Sequence, residues 1–292
     1  MNLFFNDCSL NGQFESTESF GDYLREVFLP MADIIADKDD IGLLSSYTTY
    51  SCMVTKDASL NDLLYRNVND PTLTSFKSKI AMLLAKEPFW NDNPQTNCSL
   101  MYKYPAEGIQ EPNCFTEAIA MRAPMLSVEK DKDCKDELVF ECFEGNYSVP
   151  LINIQRKRGL LKNYLKETND LIYVIENYDY EISVDAIRKN DKCYARDDIE
   201  SCDLNVSDLL KIVDSFHWVI DVVKNNQSNH FSKHLVDNIY EYRLGISSQR
   251  EFRWFYTFNK SIKMMNAFIK KTQKTPQEEI ERAKTIMREA GW

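Results

Sequence analysis

Three stretches near the end of the chain alternate apolar and polar residues at period two, separated by short turns. The first is Tyr240-Glu-Tyr-Arg-Leu244, where Glu241 and Arg243 interrupt the apolar positions. In the second, Phe252, Trp254, Tyr256 and Phe258 alternate with other residues, and Asn259-Lys260 then reads as a tight turn into Ile262 to Ile269. Successive side chains of a strand point to opposite faces, so this pattern requires half-buried strands joined into a small antiparallel sheet. Upstream, Leu209, Leu210, Ile212, Val213, Phe216, Ile220 and Val223 recur at helical spacing and predict one amphipathic helix from Val206 to about Lys224. A short second helix is expected through Phe231, Leu235 and Ile239. A last helix is expected with Thr275 as N-cap, Pro276 at its first position, Glu278 closing a capping box and Gly291 ending it.

The preceding chain is mixed. Leu3-Phe-Phe5 and Met125-Leu-Ser-Val128 read as strands. Residues 137–143 and 147–154 read as a hairpin, and Ser19 to about Asp37 as a helix kinked at Pro30. Asn61 to about Lys86 reads as a helix broken at Asp70-Pro71, with shorter helices at 113–122 and 160–169. Leu171-Ile-Tyr-Val-Ile175 is expected to be a strand and Lys189 to Asp203 a loop. The fold class is therefore α+β. Its expected organisation is a mixed α/β domain at 1–155, a connecting segment at 156–203 and a small helix-flanked sheet at 204–292. A length of 292 residues suits two domains.

The net charge of −10 disfavours a nucleic-acid partner for the chain as a whole, but the charge is uneven. From Asn229 onward twelve Lys/Arg face seven Asp/Glu, a net of +5, so the remainder carries −15. A basic tail on an acidic body fits an RNA-contacting module beside a part with another task. None of the eight cysteines forms a Cys-x-x-Cys pair, so no metal site is expected from spacing. The first residues carry no basic leader, and no apolar run approaches the length of a membrane span. A cytoplasmic protein with reduced thiols, no membrane partner and no cofactor is expected.

The tail resembles the C-terminal half of the RelE/HigB-type toxins, the small bacterial ribonucleases of toxin–antitoxin systems. The likeness rests on Tyr240-Glu-Tyr-Arg-Leu244, on Arg250-Glu-Phe-Arg-Trp-Phe-Tyr256 and on Phe268-Ile-Lys-Lys-Thr-Gln-Lys-Thr-Pro276. It implies a metal-independent endoribonuclease acting on mRNA, in the ribosome for many such toxins, with a protein antitoxin as partner. Such cleavage needs a base for the 2′-hydroxyl, positive charge at the phosphate and an acid for the leaving 5′-oxygen. Mapped onto this chain, the resemblance points to Arg243, Arg253, Lys270, Lys271 and Tyr256 for catalysis. Arg250, Lys263 and Lys274 are then RNA contacts. Tyr242 and Phe252 stand where the family pattern has leucine and tyrosine. Tyr180-Glu-Ile-Ser-Val184 is the candidate for the toxin's N-terminal strand.

Other readings stand beside this one. The same basic sheet suits a non-catalytic nucleic-acid- or protein-binding subunit of a defence complex. Asp136, Glu137 and Glu141 suit a magnesium nuclease hairpin, and His230 and His234 a pair on one helical face. The segments 6–14 and 87–92 resemble the starts of proteins from bacterial defence neighbourhoods. The acidic body has the charge sign that would cover a basic RNA groove.

Overall fold

In the computed structural model the chain divides into two compact units, Met1–Leu160 and Leu161–Trp292. The structure describes all residues except 66–70, 87–88, 93–101, 105–107, 110–113, 129–134, 143–147, 271–274 and 292.

The first unit contains β1 (Asn2–Asn6), α1 (Thr17–Tyr23), α2 (Leu29–Asp37), β2 (Gly42–Leu44), α3 (Leu60–Tyr65) and α4 (Pro71–Leu84). There follow β3 (Tyr102–Tyr104), β4 (Gly108–Ile109), α5 (Cys114–Ala120), β5 (Met125–Ser127), β6 (Glu137–Cys142) and β7 (Ser148–Ile154). Its seven-stranded sheet has the order β2-β1-β5-β7-β6-β3-β4. The β2, β1, β5 and β7 strands run parallel, and β6, β3 and β4 extend the sheet antiparallel. Leu3, Phe4 and Phe5 are all buried, as a strand covered on both faces requires. Phe4, Leu44, Met125, Phe140 and Leu151 share one core cluster with Cys114 and Ala118 of α5. Between α1 and α2 the helix widens into a π-turn, Leu24–Phe28, which brings Pro30 to the start of α2, so the proline follows the irregular turn and does not itself break an α-helix.

In the second part of the chain come α6 (Lys157–Thr168), which runs across the division, α7 (Leu171–Asn177), β8 (Val184–Ala186), β9 (Arg188–Lys189), β10 (Lys192–Cys193) and α8 (Tyr194–Ser201). They are followed by α9 (Val206–Ser215), α10 (His217–Asn225), β11 (Ser232–Val236), β12 (Ile239–Gly245), β13 (Glu251–Asn259), β14 (Ser261–Ile269) and α11 (Gln277–Glu289). The five-stranded sheet has the order β11-β12-β13-β14-β8, antiparallel except for the parallel edge pair β14–β8. One face carries Tyr242, Phe252 and Trp254, with Phe216 from the α9–α10 corner against Tyr242 and Trp254. On the other, Ile239, Phe255 and Met265 pack against Ala283 and Ile286 of α11.

Several local expectations are corrected. Leu171–Asn177 is a helix, because Asp170 caps it by accepting from Tyr173 N at 3.1 Å. In place of the loop expected at 189–203, Arg188–Lys189 and Lys192–Cys193 form the β9–β10 hairpin and Tyr194–Ser201 forms α8, which is packed on β14 through Asp198, the acceptor for Ala267 N. The long amphipathic helix is two helices that meet at Phe216. The helix expected through Phe231 is instead the edge strand β11, turned at Asp237 (φ 51°) into β12. The expected capping box at Thr275 is absent: Pro276 is the N-cap, and the Thr275 hydroxyl serves Glu241 and Arg253. Of Tyr180–Val184, Val184 alone lies in a strand.

Candidate functional site

Register decides which charges meet. Arg243 of β12 is paired with Arg253 of β13, so both side chains leave the same face of the sheet, and Glu241 and Glu251 share that face by period-two alternation. Here α11 has not yet begun to cover the strands, and a polar network takes the place of apolar packing.

Arg253 stands at its centre and is only 4% exposed. Its Nε donates to Glu251 Oε1 at 2.8 Å, and its Nη1 donates to Glu241 and to Thr275 Oγ1. The Thr275 hydroxyl donates onward to Glu241 Oε1 at 2.8 Å. Lys233 Nζ lies 3.5 Å from Glu241 Oε2, and Lys270 Nζ lies 3.4 Å from Glu251 Oε1. Partial burial pushes the Glu251 carboxyl up. The hydrogen bond from Arg253 and the charges of Arg253 and Lys270 outweigh burial and hold it below its ordinary value.

Arg243 is held differently. Its Nε donates to His230 O at 2.9 Å, and among the described residues the two terminal guanidinium nitrogens make no hydrogen bond or ion pair. Arg243 lines a pocket of about 160 Å³ together with His230, Phe231, Leu244, Gly245 and Glu251. Lys233, Arg243, Arg253 and Lys270 outnumber Glu241 and Glu251, so the region keeps a net positive charge. Such a pocket suits an anion approached by a forked guanidinium.

The structure thus brings Arg243, Arg253 and Lys270 together. Lys271 and Lys274 lie outside the described residues. Tyr256 stands on the opposite face, fully buried, its hydroxyl 2.6 Å from Ser232 Oγ, and burial pushes its pKa up. Arg250 is a structural clamp, donating to Cys202 O and Asp203 O at 3.0 Å each. Lys263 sits toward the far end of β14 and pairs with Asp185 at 2.6 Å. The two histidines do not share a helical face: His234 lies on β11 and bonds Asp237 O at 2.6 Å, while His230 precedes that strand and lines the pocket. Glu137 and Glu141 are four residues apart on β6, roughly 13 Å by strand rise, too far for one ion.

Sequence reasoning missed Glu241, Glu251, Lys233, Thr275 and the part played by His230. Glu241 was within reach, since it alternates in step with Arg243. Lys233 was hidden by reading β11 as a helix.

Among the described residues, no helix is long and apolar enough to cross a membrane. No curated protein and no solved structure matches the chain. Residues 209–288, from α9 into α11, match the family described as phage derived protein Gp49-like (DUF891), a family related to the RelE-type toxins.

Proposed function

We propose that the second unit is a toxin of the RelE type that cuts RNA without a metal, and that the carrying observation is Arg243 lining one pocket with His230 and with Glu251, the carboxylate that Arg253 holds. In this reading Arg243 grips the non-bridging oxygens of the scissile phosphate and Lys270 adds charge beside it. Glu251, held ionised by Arg253, takes the 2′-hydroxyl proton as that oxygen attacks phosphorus. His230 at the pocket rim returns a proton to the departing 5′-oxygen. Arg253 is a positioning residue, since its guanidinium is spent on Glu241 and Glu251. Tyr256 has no part, being buried on the other face. Messenger RNA is the proposed substrate and the cytoplasm the proposed compartment. A separate antitoxin is a proposed partner, as is usual for toxin-like families. The first unit, with 24 Asp/Glu against 15 Lys/Arg and a net of −9, has the charge to restrain such a site.

The test is induced expression in a bacterial host of the full chain, of residues 161–292 and of Arg243→Ala in each, with growth and mRNA 5′ ends read together. New ends that vanish in Arg243→Ala support cleavage, and greater toxicity of the shorter chain supports restraint. Intact mRNA with well-expressed, folded proteins returns the sheet to the role of a binding surface within a defence complex.

A further inference from the structure

We propose that Asp7, Cys8 and Cys114 of the first unit form a binding site for a thiophilic divalent cation, with Zn²⁺ the fitting ion. Their ligand atoms all lie within 4.8 Å of one another. Cys114 Sγ donates to Asp7 Oδ1 at 3.3 Å, and Cys8 Sγ lies within 4.8 Å of both donors. Zinc bound to two thiolates and a carboxylate holds its donors roughly 3.5–3.8 Å apart; the Asp7–Cys114 pair at 3.3 Å is already near that spacing, and no other pair need close by more than about an ångström.

The surroundings are those of a metal site. Asp7 and Cys8 follow directly on β1, at the carboxyl end of the parallel strands, where ligand sites of such sheets collect. The turn is pinned from outside the donor set. Asn6 Nδ2 donates to Ser127 Oγ at 2.9 Å, Ser127 bonds Asn153 Oδ1 at 2.5 Å, and Ser9 Oγ accepts from Val128 N at 2.8 Å. Asn6 Oδ1 also lies 3.9 Å from Cys114 Sγ, so the residue that orients the turn touches a ligand. Cys114 is fully buried in an apolar cluster, yet its sulfur is directed at a carboxylate. Cys8 is exposed and gives the ion an entry path. Cys52 flanks the site and bonds Thr48 O at 3.7 Å. Three protein donors leave one position of a tetrahedral ion for a further ligand.

Sequence spacing could not indicate this, because position 114 lies more than a hundred residues from the other two. The first unit then joins its acidic charge to a metal-held turn, independently of any chemistry in the second.

Cobalt(II) titration of the full-length, reduced, chelator-treated protein tests it. The expected result is a thiolate-to-cobalt band in the near ultraviolet that saturates at one ion per chain and is displaced by Zn²⁺. The band is lost in Cys8→Ser and Cys114→Ser and kept in Cys193→Ser. Cys8 is exposed, so its variant decides the matter should Cys114→Ser fail to fold. A folded, reduced wild-type chain with no thiolate band, or a band that survives Cys8→Ser, overturns the proposal. So does a Cys8–Cys114 disulfide in protein isolated from the cytosol, which would make the pair a redox couple.

Discussion

Arg243 and Arg253 face one another across β12 and β13, yet they do different work, and one substitution in each separates them. Arg253 is buried against Glu241, whose residue is 0% exposed, so removing the guanidinium leaves a buried carboxylate with only Lys233 at 3.5 Å and the Thr275 hydroxyl to offset it. Breaking a buried pair from one side costs about 3–5 kcal/mol. Arg253→Met in the full-length protein is expected to lower stability on that scale in urea unfolding. Arg243, half-buried and tied by a single hydrogen bond to His230 O, is expected to cost about 1 kcal/mol or less as Arg243→Ala. Equal losses from the two variants would contradict the division of roles. The alternation in Tyr240-Glu-Tyr-Arg-Leu244 was enough to put Arg243 on a polar face. It did not reveal burial, because whether a strand arginine is wet or paired depends on the opposite strand, and the Glu241 partner is set by register.

At the scale of elements, one carboxylate fixes the β12–β13 connection to α9. Asp208 accepts from Ser247 N and Ser247 Oγ, both at 2.8 Å, and lies 3.5 Å from Arg250. This holds a loop whose Ser248 and Gln249 both have positive φ, 58° and 56°. Burial works to raise the Asp208 carboxyl. The two Ser247 hydrogen bonds, the bond with Asn205 and the charge of Arg250 outweigh burial and lower it. A group lowered on folding contributes stability above its unfolded pKa, about 3.9, and loses it as pH falls through the folded value. Asp208→Asn is therefore expected to cost about 1–3 kcal/mol at pH 7, and the gap to wild type should narrow below about pH 4. A gap that widens on acidification would reverse the sign. Elements were legible where a period ran long, as in α9, β13 and β14. They were misread where four or five apolar residues stood alone. Leu171–Ile175 fits a buried strand and a buried helix equally, and the capping by Asp170 decides for the helix. At Phe231–Ile239 the decision belongs to the pairing of β11 with β12, which no local window contains.

For the molecule as a whole, the distribution of charge and the limits of the second unit bear on how its sheet can be isolated. The −15 that precedes Asn229 is not all in the first unit: that unit carries −9, and residues 161–228 carry the other −6. Part of the acidic charge thus belongs to the same unit as the basic tail. The strands and the last helix invite a cut near Asn205, but the sheet does not end there. Ile262, Lys263 and Met264 of β14 pair in parallel with Val184, Asp185 and Ala186 of β8. In α8, Asp198 accepts from Ala267 N at 3.1 Å and pairs with Arg282 of α11 at 2.7 Å. Ile187 and Tyr194 join the core beneath α11. A chain starting at Asn205 would expose the β14 edge, leave Ala267 N without its acceptor and uncover that core, features that favour edge-to-edge association. Residues 161–292 are therefore expected to be monodisperse and cooperatively unfolding, and residues 205–292 to aggregate or melt without cooperativity. Size-exclusion chromatography and thermal unfolding by circular dichroism distinguish the two. A stable, cooperative 205–292 fragment would mean that β8 and α8 only decorate the sheet. Failure of both fragments would mean that the sheet needs residues before Leu161 to fold.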